Sequence, residues 1–207
     1  MSISAMPEWN VTPPPDLPMR RFTVDEYHRM IEAGVFPEED RLELLEGWII
    51  AKMPRNPPHD VAILVVQRIL GAELPAGWHF RAQMALTTPD SKPEPDLAVV
   101  RGEDVDYLSR HPTPADVALV IEVSDSTLAG DRDPKGRIYA RAGLPVYWIV
   151  NLVDHRVEIY SSPTGPDANP RYRERRVVEP GETIPLLIDG REVARINERK
   201  LFPGRTV

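Results

Sequence analysis

Val117-Ala118-Leu119-Val120-Ile121-Glu122-Val123 is an apolar run that carries a single carboxylate. A run of this length, rich in β-branched residues, reads as a buried central strand. A carboxylate in such a strand must be paired, hydrogen-bonded or metal-bound, because an unpaired buried charge costs more than folding can spare. Upstream, Pro95-Asp96-Leu97-Ala98-Val99-Val100 places a second carboxylate at the head of another short strand. Downstream, Lys135 falls near the start of a predicted helix.

Side chains on a strand alternate faces. Ala118, Val120, Glu122 and Ser124 then share one face, and Asp96, Ala98 and Val100 share one face of the second strand. If the two strands are neighbours, Asp96 and Glu122 converge. Two adjacent carboxylates repel unless a cation lies between them, and their hard oxygens suit Mg²⁺ or Mn²⁺. An ion held there activates water and orients a phosphate, and Lys135 can pair with the acids or steady the developing charge. The set points to metal-dependent phosphodiester hydrolysis.

Working outward, Thr23-Val24-Asp25-Glu26 is a capping box, predicting a helix to about Ala33 with Gly34 as its stop. Residues 41–53 read as a short turn or helix end, a turn at Gly47, then a strand. Pro54 and Pro57-Pro58 read as a loop. His59 to Leu74 reads as a helix with Val61, Leu64, Val65 and Ile69 on its apolar face. Strands are predicted over 79–87, 97–100 and 146–152, and a hairpin turns at Asp154-His155 into a strand over 157–160. Ser124 to Asp133 reads as a loop, followed by a helix over 134–142 with Asp133 as N-cap and Pro134 at its first position. Short strands are expected near 172–178 and 184–188. The order implies an α/β (α+β) fold, a central mixed sheet flanked by helices.

The 207 residues suffice for one domain with a hydrophobic core. Residues 1–20 hold five prolines and read as a disordered tail, leaving 21–207 as the single domain and 161–207 as its peripheral C-terminal strands. The absence of cysteine excludes disulfides and thiolate metal sites. No apolar run reaches a membrane span and no signal peptide is visible, so a cytoplasmic protein is expected. The net charge of -7 argues against a passive nucleic-acid binder, although a metal ion can offset the acids of a nuclease site. No glycine-rich phosphate loop or nucleophile elbow supports an NTPase or an acyl transferase.

Pro95-Asp96, Ile121-Glu122-Val123-Ser124, Asp131, Lys135, Tyr139, Ala142-Gly143 and Val146-Tyr147-Trp148-Ile149-Val150 resemble the Uma2 family. Glu43-Leu44-Leu45-Glu46-Gly47 resembles its upstream motif, and the likeness spans roughly residues 22–160. The resemblance implies a restriction-endonuclease-like core of the PD-(D/E)XK superfamily and Mg²⁺-dependent cleavage of DNA by a homodimer. It implies Asp96, Glu122 and Glu43 as metal ligands, with Lys135 and His59 completing the catalytic set; Glu46 is the alternative upstream acid. His59 matches a family histidine placed to touch a phosphate or assist proton transfer. The superfamily's lysine usually lies two residues after the strand acid, where this chain has Ser124, so Lys135 stands for a lysine moved to the following helix. Asn151 replaces the family's frequent Asp.

Each residue also has a plainer reading. Asp96 can cap a turn, Glu122 can be a buried salt-bridge partner, and Lys135, Glu43 and Glu46 can face solvent. Asp131 reads as a loop or helix-start residue, and Tyr139, Tyr147 and Trp148 as core. Two rival functions follow: a catalytically inactive nuclease-fold module that binds nucleic acid or a protein partner, or a hydrolase of small phosphate esters.

Overall fold

The computed structural model of the chain describes residues 19–37 and 39–202; residues 1–18 of the expected proline-rich tail lie outside them. A six-stranded mixed sheet forms the centre. Its strands are β3 (Trp78–Ala82), β4 (Leu97–Arg101), β5 (Val117–Ser124), β6 (Val146–Asn151), β7 (Arg156–Pro163) and β8 (Tyr172–Val178), in that spatial order. Only β5 and β6 run parallel. A parallel pair needs a crossover, and the helical segment between these two strands supplies it. Every residue of β5 is buried, as its unbroken apolar run requires for a strand covered on both faces.

Two layers cover the sheet. On one face, helix α2 (Pro57–Glu73) and the hairpin of β9 (Thr183–Ile188) and β10 (Arg191–Asn197) enclose Leu119, Ile121, Val123 and Trp148. On the other, helix α4 (Gly136–Arg141) packs Ile138 and Tyr139 against Val120, Tyr147 and Ile149. Strict alternation assigns Ala118 to the Glu122 face, but Ala118 packs with Leu119 and Ile121, and Val117 packs with Val120. The register moves from Val99↔Leu119 to Val100↔Val117, so a bulge leaves Ala118 unpaired and switches the faces at that end of β5.

Helix α1 (Val24–Glu32) follows the sequence closely. Thr23 accepts from the Glu26 amide at 3.2 Å and Glu26 accepts from the Thr23 amide at 3.0 Å. Residues 42–45, by contrast, are no helix end. They form strand β1 (Leu42–Leu45), which pairs with β2 (Trp48–Ala51) through the two-residue turn Glu46-Gly47. Both turn residues have positive φ, 50° and 80°, as a twist-matched hairpin turn demands. A Cβ on Gly47 would lie 2.6 Å from Arg21 Cβ and 3.0 Å from the Phe22 carbonyl oxygen. Gly47→Ala is therefore expected to destabilise the fold by about 2 kcal/mol, from positive φ plus collision. An unchanged urea midpoint would show that the turn relaxes freely.

Helix α2 begins earlier than expected. Asn56 caps it by accepting from the His59 amide at 3.1 Å, and Pro57-Pro58 fill its first positions, where no intrahelical N–H is needed. Its buried stripe is Ala62, Ile63, Val66 and Leu70, whereas Val61 and Leu64 are exposed. The helix is apolar on nearly all sides, so its sequence gives little direction and the sheet selects the face. The strand expected to reach residue 87 ends at Ala82, where Gln83 turns the chain with φ 55°.

The largest departure lies after β5. The expected loop contains a helical turn, α3 (Leu128–Gly130), which continues through a π-helical turn over Asp131–Lys135 into α4. Asp133 is no cap, and Pro134 sits inside the helix. The Gly136 amide bonds to the Asp131 carbonyl five residues back, a pattern in which the missing Pro134 N–H is tolerated. Strand β10 was invisible to a periodicity reading because Ile196 is its only buried residue. Among the described residues, no helix is long and apolar enough to cross a membrane.

Candidate active site

The β4–β5 register pairs Leu97 with Ile121, so the preceding residue, Asp96, lies beside Glu122. Backbone and side chain interlock there: the Val123 amide donates to Asp96 Oδ2 at 2.9 Å and the Asp96 amide donates to Glu122 Oε2 at 3.3 Å. Glu122 is 2% exposed. Its other oxygen, Oε1, accepts from Lys135 Nζ at 2.9 Å and from the Tyr139 hydroxyl at 2.7 Å.

Lys135 and Tyr139 are four residues apart and thus on one helical face, and so are Asp131 and Lys135. Asp131 Oδ1 lies 3.6 Å from Lys135 Nζ, while Asp131 Oδ2 accepts from Ser124 Oγ at 2.6 Å and Thr127 Oγ1 at 2.7 Å. Ser124 therefore takes part without being a lysine: it holds the aspartate that holds Lys135. Sequence reasoning passed over Asp131 and Tyr139. Their signal is the i, i+4 spacing through Lys135: Lys135–Tyr139 lies within the expected helix over 134–142, whereas Asp131 precedes it, in a segment that reads as a loop.

Burial pushes the Glu122 carboxyl up to about 8 against the pull of Lys135, and the charges of Asp131 and Asp96 add to the rise. Burial also opposes the Lys135 ammonium, but Glu122, Glu43 and Asp131 surround it and raise its pKa well above the usual lysine range. Lys135 is accordingly a fixed cation. Burial opposes the Asp96 carboxylate too, yet His59, the Val123 amide and Lys135 hold its pKa below the ordinary value.

His59, in the first turn of α2, points Nε2 at Asp96 Oδ2, 3.2 Å away. Burial lowers its pKa, and the bond and charge of Asp96 more than reverse that. Glu43, on β1, is 5% exposed and accepts from the Glu94 amide at 3.0 Å. Glu46 occupies the neighbouring turn, where hydrogen bonds from Arg137 and Arg141 overcome burial and hold its carboxyl at about 2. It clamps the β1–β2 turn to α4. Asp96, Glu122, Lys135, His59, Glu43 and Glu46 all line one cleft of about 520 Å³.

Among the described residues, no three His, Asp or Glu side chains form a ready-made metal cluster. The donor chemistry nevertheless fits a hard cation. Asp96 and Glu122 offer adjacent carboxylates, and Mg²⁺ commonly takes one or two of these and completes its shell with water and phosphate.

A second ion-pair network braces the π-turn. Glu158 on β7 is buried and receives Arg132, Arg175 at 3.0 Å and the Tyr160 hydroxyl at 2.6 Å. Burial opposes its charge, but these donors hold its carboxyl at about 2. Because the folded pKa lies below the unfolded one, this stabilisation is present above about pH 4.5 and disappears as pH falls through about 2. Glu158→Gln is expected to cost about 3 kcal/mol at neutral pH, with the deficit shrinking toward pH 2. Urea midpoints of both proteins across this range would test it; parallel curves would remove Glu158 as the source.

Residues 24–194 match the family model Uma2, described as a putative restriction endonuclease. No curated protein matches the chain. Among solved structures, the chain is similar to a protein described as a putative nuclease belonging to DUF820 from Anabaena variabilis. The TM-score is 0.63 at 18% identity, covering 87% of this chain and 97% of the other. At that identity the likeness establishes the fold alone, the mixed α/β core. With a family match over most of its length and the strand-borne acids at their expected places in the sheet, the chain belongs to the Uma2 family.

Proposed function

We propose that the chain is a divalent-metal-dependent endonuclease that hydrolyses phosphodiester bonds in DNA, as a cytoplasmic homodimer. The observation that carries the reading is the adjacent Asp96 and Glu122 pair, with Lys135 Nζ 2.9 Å from Glu122 Oε1 in a cleft. Asp96 and Glu122 would hold Mg²⁺ or Mn²⁺, with Glu43 assisting from β1. When bound, the ion supplies Lewis acidity toward the phosphate and lowers the pKa of a water molecule.

The chain's own residues do the rest. Lys135 keeps its proton, so it serves as a cation that orients the attacking water and offsets charge developing on the phosphate, and not as a base. Asp131, anchored by Ser124 and Thr127, sets the position of that ammonium. His59 holds Asp96 through Nε2 and lies beside the cleft, where a scissile phosphate would approach.

One observation favours a second reading, the catalytically inactive nucleic-acid-binding module. Lys135 already satisfies Glu122 Oε1, and its place differs from that of the superfamily lysine. Calorimetric titration of Mn²⁺, with and without a DNA duplex, combined with a plasmid-cleavage assay, separates the two. The nuclease reading expects metal binding and metal-dependent cleavage. DNA binding with neither would overturn it in favour of the module, and hydrolysis of mononucleotides but not polymers would indicate a small phosphate-ester hydrolase.

A further inference from the structure

A second cleft, of about 510 Å³, lies between α1, β3 and the segment around Tyr107 to Thr113. Arg81, Lys92, Arg110, His28 and His111 line it, against a single acid, Glu32. Its positive charge is poorly neutralised within the protein. Lys92 is only 9% exposed, and among the described residues its ammonium makes no hydrogen bond or ion pair. Arg81 stacks its guanidinium 5.2 Å from the Tyr107 ring centroid, and among the described residues it makes no ion pair and leaves Nε buried without a hydrogen-bond partner. His28 Nε2 is likewise buried and, among the described residues, without a partner. Arg110 alone is neutralised, by Asp116 at 2.7 Å.

Buried donors without acceptors, and a largely buried lysine without an ion-pair partner, are costly unless an anion arrives to take them. The surrounding groups register the same excess of charge. Burial, followed by Lys92, lowers the pKa of His28, and burial, Lys92, His28 and Arg81 lower that of His111. The carboxylates of Asp25, Glu32 and Glu94 pull the other way and do not reverse either shift. Lys92 lines this second cleft, while Glu94, two residues on, lines the first.

We propose that this cleft binds one phosphate group, received by Lys92 Nζ, Arg81 Nε and His28 Nε2. An oxyanion of that size takes several convergent N–H donors at once, and a partly buried pair of cations strengthens each contact. The phosphate can come from a nucleic-acid backbone or from a small phosphorylated molecule, since the donors recognise the same group in both.

The test uses the full chain in chelator, so that failure of the nuclease reading leaves it intact. Inorganic phosphate and a short DNA duplex are titrated into wild type, Lys92→Met and Arg81→Gln, and thermal melting is followed in phosphate-free and phosphate buffers. Wild type is expected to melt higher in phosphate. Lys92→Met is expected to melt above wild type without phosphate, because it removes an unpaired charge from a largely buried side chain, and to lose the phosphate increment. Each variant should bind the affected ligand about tenfold more weakly, the equivalent of one lost charged contact. Weakened duplex binding, with a salt slope reduced by about one, identifies a backbone phosphate. Weakened binding of free phosphate alone identifies a small phosphorylated ligand. Unchanged affinity of Lys92→Met for both probes, or no binding of either by wild type, would overturn the proposal.

Discussion

Glu122→Gln is expected to reduce DNA cleavage on the order of 10³-fold while leaving the melting temperature nearly unchanged. Glutamine matches glutamate in shape and can still accept from the Tyr139 hydroxyl, so the pocket around the Oε1 position stays filled. Lys135 is not abandoned, because Asp131 remains 3.6 Å from its ammonium. What disappears is a carboxyl group beside Asp96 that can lose its proton to a bound cation, and a neutral amide is a poor substitute for a carboxylate toward Mg²⁺. Cleavage rates at saturating Mg²⁺, with circular dichroism melts as the folding control, decide the matter. A variant that keeps the wild-type rate would remove Glu122 from the metal site and with it the proposed mechanism.

The second large effect is on stability. Trp148→Ala is expected to cost about 4 kcal/mol, a shift in melting temperature on the order of 10 °C for a chain of this size. Trp148 is 1% exposed on β6, next to β5, and packs in the core cluster that contains Leu119, Ile121 and Ile184. Truncation opens a cavity at the seam between the sheet and the β9–β10 hairpin. Trp148→Phe should cost much less, because it retains ring volume and removes an indole N–H that is buried without a partner. Urea unfolding of both variants tests the ranking. Similar losses for alanine and phenylalanine would mean that a hydrogen bond of the indole, rather than its volume, supports the core.

The same contrast between local and distant causes runs through the comparison of sequence with structure. The Thr23 capping box, the buried strand around Glu122 and the hairpin at Asp154-His155 depend on residues close together in the chain, and all three form. Asp96 and Glu122 could be brought together in advance only on the condition that their strands pair, which the β4–β5 register satisfies. Residues 42–45 were misread because four residues carry too few periods to separate a strand from a helix end. The family likeness favours Glu43 as the upstream acid and leaves Glu46 as the alternative; in the structure Glu46 meets two arginines more than ninety residues away and Glu43 does not.

The amino-acid sequence alone carried the α/β class, the central strand and its acid, the family likeness and the candidates Asp96, Glu122, Glu43, Lys135 and His59, because periodicity, capping and motif spacing are local properties. Whether Lys135 meets Glu122, what Ser124 does in place of a lysine, which stripe of α2 is buried and where the unpaired cations gather were settled in three dimensions. Each depends on a π-turn over Asp131–Lys135 or on packing between distant segments. Such features arise from competition among contacts across the whole chain, and no local pattern encodes their outcome.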